Sequence, residues 1–166
     1  MGKIKLHIIY TVFALVAMGL PSSRHDIAVA EEPHSHHQDH STKLELNQGK
    51  KWETDEPLRK GMTEIKTILE GKLPEIHSDR LDSKGYIEAA RKISASVNSI
   101  FKNCKLSPKA DAALHVVLTE IIGGAETMKV APSTTEKRQG AIRVIDALSD
   151  YAKFFEHSGW IPIAHK

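Results

Sequence analysis

The stretch EEPHSHHQDHS, residues 31 to 41, concentrates side chains that bind metal ions. It contains three acidic residues and four histidines, which are His34, His36, His37 and His40. Imidazole nitrogens and carboxylate oxygens together suit copper(II), nickel and zinc. A segment without a competing fold can wrap these groups around one ion, so we predict a metal-binding leader of modest selectivity. The alternative is a solubilising, low-complexity linker.

A second set of potential ligands lies farther along the chain and consists of Met62, Cys104, His115 and His157. A thioether, a thiol and imidazoles form a soft set that suits copper(I) and, less well, zinc. Each residue also has a simpler explanation. Met62 falls on an apolar stripe, where a methionine fills core space. Cys104 is either an inert core thiol or a thiolate-prone group beside a helix N-terminus.

Four further residues are predicted to surround this second site, namely Trp52, Asp55, Asp111 and Trp160. Asp111 and His115 are four residues apart, so on a helix the carboxylate reaches the imidazole and either fixes its tautomer or shares a metal. An aspartate near a helix N-terminus is also favoured by the helix dipole alone. The two tryptophans are predicted to close one end of the domain and to keep water from a site beneath them.

The elements that must position these residues are helices. Four segments repeat apolar residues at three-and-four spacing, and no alternating run indicates a strand. The predicted helices begin near Asp55, Asp82 (or Ser83), Ser107 and Ser133. They end near Leu73, Cys104, Met128 and Ser158-Gly159. Short connections predict an all-α fold, an antiparallel up-down-up-down four-helix bundle over residues 52 to 160 with a tail from 161 to 166.

Alternating helix directions are expected to bring the scattered ligands to one end of that bundle. The starts of the first and third helices and the ends of the second and fourth share this end. At about 1.5 Å per residue, Met62 and His115 should lie about 10 Å below the rim, while Cys104 and His157 lie at it. The second metal site therefore depends on the topology of the bundle.

Residues 1 to 30 have the pattern of a secretory signal. Two lysines precede an apolar run from Ile8 to Leu20, and Ala28-Val29-Ala30 matches a signal-peptidase site. The run is shorter than the roughly 20 residues that a membrane-spanning helix needs. We therefore expect cleavage, no stable membrane insertion, and a mature protein in the periplasm or secreted, with residues 31 to 51 disordered. An uncleaved membrane anchor is the alternative.

Composition and motifs exclude several classes of function. Without residues 1 to 30, the 23 basic and 21 acidic residues become 20 of each. A charge near zero without a basic stripe gives no electrostatic footprint for a nucleic acid. The chain has no nucleophile elbow, zinc-protease helix motif or glycine-rich phosphate loop, so we predict binding and not catalysis. The single cysteine, Cys104, allows no internal disulfide.

Several short motifs resemble the DnrO-like family of small exported bacterial proteins. They are Trp52-x-Thr54-Asp55-x-Pro57-Leu58-Arg59-x-Gly61-Met62, Asn103-Cys104-Lys105-Leu106, Asp111-Ala112-Ala113-Leu114-His115, Phe155 and Gly159-Trp160. The resemblance covers residues 52 to 160. It implies a signal peptide, a His-rich leader and a helical domain, without a reaction to transfer. Ser158 stands where that family usually has a proline.

The residues favour an exported metal-binding protein, with a copper ion as the expected ligand and zinc or nickel as alternatives. A structural or interaction module with a solubilising leader is the second hypothesis. The third is a noncovalent haem-binding bundle in which Met62 and His115 ligate the iron. Covalent haem attachment is excluded because the chain has no C-x-x-C-H motif.

Overall fold

The structure is a computed structural model that describes residues 43 to 164. In this range the chain forms five helices and no β-strand beyond two isolated bridges. The helices are α1 (Glu56–Glu70), α2 (Leu73–His77), α3 (Ser83–Asn103), α4 (Pro108–Val130) and α5 (Thr134–Phe154). The predicted all-α class is confirmed for this part of the chain.

Two of the sequence predictions lie outside the described residues. They concern the signal peptide, residues 1 to 30, and the leader histidines His34, His36, His37 and His40. Between residues 43 and 164, no helix is both long and apolar enough to cross a membrane.

The four long helices begin at the polar residues that the sequence indicates. The N-caps are Asp55, Asp82, Ser107 and Ser133, and each side chain accepts a hydrogen bond from a backbone N–H in the first turn of its helix. Ser133 and Glu136 form a complete capping box. Each such cap stabilises its helix by about 1 kcal/mol, so the starts of these helices are set locally.

The ends of the first and last helices differ from the prediction. Helix α1 ends at Glu70, and the chain starts a new short helix, α2, at Leu73. The described residues therefore form five helices instead of the predicted four. Pro74 was expected to bend or end the first helix, but it lies in the first turn of α2, where a proline is tolerated. Helix α5 ends at Phe154, before the predicted stop at Ser158-Gly159, because Phe155 is extended although its side chain is buried.

The long helices pack on one another around a single apolar core. Helix α1 contacts α3 and α5, and α4 contacts the same two helices. Helices α4 and α5 approach each other closely at Gly124 and Gly140, where a Cβ on either glycine would lie 2.6 Å from the carbonyl oxygen of the other. Only a residue without a side chain fits there, so the glycine that lowers helix propensity in α4 is required by the packing.

The segment before α1 is fixed to the end of α5. The Trp52 N–H donates to the Phe154 carbonyl at 2.8 Å, and the Glu156 N–H donates to the Trp52 carbonyl at 2.8 Å. The Lys51 ammonium reaches the Ala152 carbonyl at 2.7 Å. Residues 43 to 51 belong to the leader that we predicted to be disordered. In the structure, Lys51 contacts α5 and Leu44 packs against the core.

Candidate functional site

The start of α1 meets the ends of α3 and α5 at one end of the domain, which we call the pole. It is formed by Trp52, Asp55, Cys104, Tyr151, His157 and Trp160. The Asp55 carboxylate accepts the Lys105 N–H at 2.5 Å, which joins α1 to the residues that follow α3. The bridge between Trp52 and Phe155 joins the same end to α5. The predicted convergence of these helix ends therefore appears as direct contacts.

Asp55 is the central charged group of the pole. One carboxylate oxygen accepts the Leu58 N–H at 2.9 Å, and the other accepts the Lys105 N–H. Burial raises the pKa of this carboxyl, but the hydrogen bonds from Lys105, Leu58 and the Cys104 thiol outweigh burial and hold the pKa below its usual value. Asp55 is therefore an ionised structural acceptor whose oxygens already have donors.

Cys104 lies directly after α3, where it is partly buried and reduced. Burial, the negative charge of Asp55 and the hydrogen bond to that carboxylate raise the pKa of the Cys104 thiol to about 12. A metal ion or an electrophile reacts with the thiolate, which is scarce at neutral pH under these conditions. Of the two interpretations of Cys104, the raised pKa favours the inert one.

Tyr151 contacts both His157 and Trp160 in the segment that follows α5. Its side chain is fully buried, and its hydroxyl lies 3.1 Å from His157 Nδ1. The Trp160 ring packs edge-on against the Tyr151 ring, with centroids 5.1 Å apart. It is tilted relative to the His157 ring, with centroids 4.8 Å apart. Lys66 on α1 places its ammonium 5.8 Å from the centre of the Trp160 ring.

The electrostatics of this cluster keep both titratable rings neutral at neutral pH. Burial raises the pKa of the Tyr151 hydroxyl, an effect that the positive charge of Arg59 opposes only in part. Burial and the charge of Arg59 lower the pKa of His157 below its usual value. A neutral His157 whose Nδ1 already contacts Tyr151 has only its other nitrogen left for a ligand.

Met62 and His115 lie in opposite environments. Met62 is completely buried within the apolar core. The His115 side chain is 56% exposed on the surface of α4, with Nδ1 2.8 Å from the Asp111 carbonyl oxygen and 3.4 Å from its carboxylate. The predicted contact between Asp111 and His115 is present. The surface position of His115 removes the geometric basis for a haem held between it and Met62.

The structure does not gather the second set of ligands, Met62, Cys104, His115 and His157, around one point. Within residues 43 to 164, no group of three or more His, Cys, Asp or Glu side chains is arranged to hold a metal ion. For Met62 and His115, which lie within helices, the reason is rotation about the helix axis. Topology sets how far each residue lies from the end of the domain, but the roughly 100° turn per residue decides which way its side chain points.

The sequence did not single out Tyr151, which belongs to the pole, or Arg59, whose charge acts on the pole. Tyr151 was assigned only to an apolar stripe, although a buried tyrosine hydroxyl needs a polar partner and so indicates a polar group nearby. Arg59 donates to the Thr54 carbonyl at 2.6 Å and supplies the positive charge beside Tyr151 and His157. No local pattern in the sequence indicates that role.

Both tryptophans pack against the core as partly buried side chains. Trp52 packs against the core and donates its indole N–H to the Glu45 carbonyl at 2.8 Å. The indole nitrogen of Trp160 is buried and has no hydrogen-bond partner among the described residues. Both rings therefore serve packing first.

No family model, no curated protein and no solved structure matches this chain.

Proposed function

We propose that this chain is an exported metal-binding protein in which residues 31 to 41 capture the ion. The observation that carries the proposal is the group of four histidines, His34, His36, His37 and His40, flanked by three acidic residues. Copper(II) is the expected ion because it binds nitrogen and oxygen ligands more tightly than the other divalent ions of its row. Zinc and nickel use the same ligands with lower affinity.

The contacts at the pole support the leader as the metal site in preference to the helical domain. The Cys104 thiol is protonated and bonded to Asp55, and His157 is neutral and bonded to Tyr151. Met62 is enclosed by the core. Binding a metal with these residues would require breaking contacts that stabilise the fold, whereas the leader site requires none of them.

We further infer that α1, α3, α4 and α5 form an up-down-up-down four-helix bundle, with α2 as a short addition between α1 and α3. The meeting of the α1 start with the α3 and α5 ends supports this arrangement. The signal-like residues 1 to 30 and the resemblance to the DnrO-like family support location in the periplasm or outside the cell. The proposed activity is binding, without turnover.

Titration calorimetry on the full exported chain tests the metal proposal. The test variant replaces the four leader histidines by asparagine, as H34N/H36N/H37N/H40N. The matched control, H77N/H115N, replaces two exposed histidines of the helical domain. We expect the leader variant to lose at least about tenfold in copper(II) affinity, equivalent to 1.4 kcal/mol, and the control to keep it. Unchanged binding by the leader variant, together with loss in C104S or H157N, would transfer the site to the pole.

A structural or interaction module is the second candidate, and one observation favours it. Phe101 on α3 is 50% exposed, and its ring lies 6.0 Å from the His115 ring on α4. An exposed aromatic pair of this kind is typical of a surface that contacts another protein.

A further inference from the structure

A band of exposed, uncharged side chains follows the junction of α3 and α4, and we call this band the seam. It consists of Ser94, Asn98 and Phe101 on α3 and His115, Thr119 and Ile122 on α4. Phe101 is 50% and Ile122 44% exposed. Charged residues make up 27% of the chain, so six exposed positions without a formal charge distinguish the seam from an ordinary solvated face.

The packing of α3 decides which of its sides belongs to the seam. Its opposite side faces α1, where the Ser96 hydroxyl donates to Glu64 at 3.0 Å and Ile100 closes on Gly61. The ring contact between Phe101 and His115 marks the side that adjoins α4. The spacing of 94, 98 and 101 on α3, and of 115, 119 and 122 on α4, keeps each set on one helix face.

Charges of opposite sign flank the two halves of the seam. Exposed cations, Arg91 and Lys102, flank the α3 half, and exposed carboxylates, Asp111 and Glu126, flank the α4 half. A connection of only four residues joins the end of α3 to the start of α4. Lys102 and Asp111 therefore lie toward the pole, and Arg91 and Glu126 lie toward the other end.

These flanking charges are available for contacts with another molecule. Arg91 and Lys102 form no ion pair with any residue between 43 and 164. Asp111 contacts His115 at 3.4 Å, and Glu126 contacts Lys129 at 3.5 Å, both on the exposed surface. Exposed pairs of this length contribute at most about 1 kcal/mol, so either carboxylate can exchange its partner.

We propose that the seam binds a second copy of this chain in a two-fold dimer whose axis runs parallel to α3 and α4. This axis lays α3 of each protomer on α4 of the other, with the two poles at the same end. Lys102 then faces the partner subunit's Asp111, and Arg91 faces the partner subunit's Glu126. Because the contact is isologous, each attraction occurs twice.

The alternative face-to-face dimer has its axis perpendicular to the helices and is disfavoured by the same charges. It lays α3 on α3 and α4 on α4 in opposite directions, so that Arg91 opposes Lys102 and Asp111 opposes Glu126. Like charges placed opposite each other cost free energy. The flanking charges are complementary to those of a second copy of this chain, and they favour one of the two symmetric orientations. The net charge of +2 adds little long-range repulsion between two copies.

Sedimentation velocity on the full chain, with a chelator present, tests the dimer separately from metal binding. The seam and its flanking charges comprise ten residues, fewer than the roughly 20 to 30 per partner of a standard stable interface, so we expect a dimer that dissociates in the micromolar range. The variants F101E and I122E should each raise the dissociation constant at least about tenfold. The matched control I161E, at a 74% exposed isoleucine outside the seam, should leave it unchanged.

Charge exchange tests the proposed axis. R91E and E126R should each weaken the dimer, and the double variant R91E/E126R should restore it, because the partner's opposite charge is then present again. A chain that is monomeric at every concentration up to about 100 µM overturns the dimer. A double variant no better than the single ones overturns the orientation. Circular dichroism on each variant separates loss of association from loss of fold.

Discussion

The pole and the seam use polar residues in opposite ways. At the pole, Asp55, Cys104 and His157 are paired with other groups of the same chain. At the seam, residues such as Phe101 and Ile122 stay exposed. Three residues with the chemistry of a site thus serve the fold, while His115, the one candidate ligand in the seam, lies exposed among residues such as Ser94, Asn98 and Thr119. The two regions therefore differ in whether their side chains are free to contact another molecule, and not in residue type.

The reactivity of Cys104 is the strongest test of this comparison. A thiol pKa raised from 9.0 to about 12 leaves roughly a thousandfold less thiolate at neutral pH. We expect iodoacetamide to alkylate the native protein about a thousandfold more slowly than the protein unfolded in urea, as followed by mass spectrometry. In D55N the rate should rise, because the charge and the hydrogen bond of Asp55 both raise the pKa. A native rate within tenfold of the unfolded rate would contradict the account of the pole.

Removal of the Asp55 side chain should have the largest effect on stability. D55A loses the α1 cap, worth about 1 kcal/mol, and a hydrogen bond from Lys105 to a charged acceptor, worth about 2 kcal/mol. We expect the free energy of unfolding in urea to fall by about 3 kcal/mol. The control D82A removes one cap only and should cost about 1 kcal/mol. Equal losses in the two variants would show that the Lys105 contact contributes nothing.

Because of His157, the free energy of unfolding should depend on pH just below pH 6.5, with a smaller effect than the loss in D55A. The pKa of His157 is lower in the folded chain than its ordinary value of 6.5, so below pH 6.5 the unfolded chain binds more protons. The stability that neutral His157 contributes is fully present above pH 6.5, and it is lost as the pH falls toward the pKa of His157 in the folded chain.

Urea unfolding between pH 5 and pH 7.5 measures this loss. H157Q should flatten the dependence, and the exposed-site control H77Q should keep it. The stability that ionised Asp55 contributes is lost only below pH 3.8, because hydrogen bonding lowers the pKa of this carboxyl in the folded chain. The two effects therefore occur in separate pH ranges. A slope between pH 5 and 6.5 that survives in H157Q would assign the effect to another group.

The smallest effect on monomer stability should come from the seam. F101E, measured at concentrations where the chain is monomeric, should change the free energy of unfolding by about 0.5 kcal/mol or less, since half of that ring is already exposed. Urea unfolding monitored by circular dichroism gives the value. A loss above about 2 kcal/mol would mean that Phe101 belongs to the core, and the comparison of the two regions would fail.

Local patterns in the sequence predicted the helix starts better than the helix ends. Ser107 before Pro108, and Ser133 three residues before Glu136, specify their caps through contacts within one turn. Phe155 continues the apolar spacing of α5 and is buried, so periodicity alone extends the helix beyond its real end. Its extended backbone depends on pairing with Trp52, about a hundred residues earlier in the chain.

The sequence by itself determined the all-α class, the N-caps, the apolar stripes and the contact between Asp111 and His115, because each depends on residues at most four apart. Only the tertiary structure decided that Cys104 bonds to Asp55, that Tyr151 holds His157, and that His115 faces solvent. These outcomes depend on the rotation of each helix about its axis and on contacts between distant segments. The packing of the whole core sets both, and no short stretch of the chain carries that information.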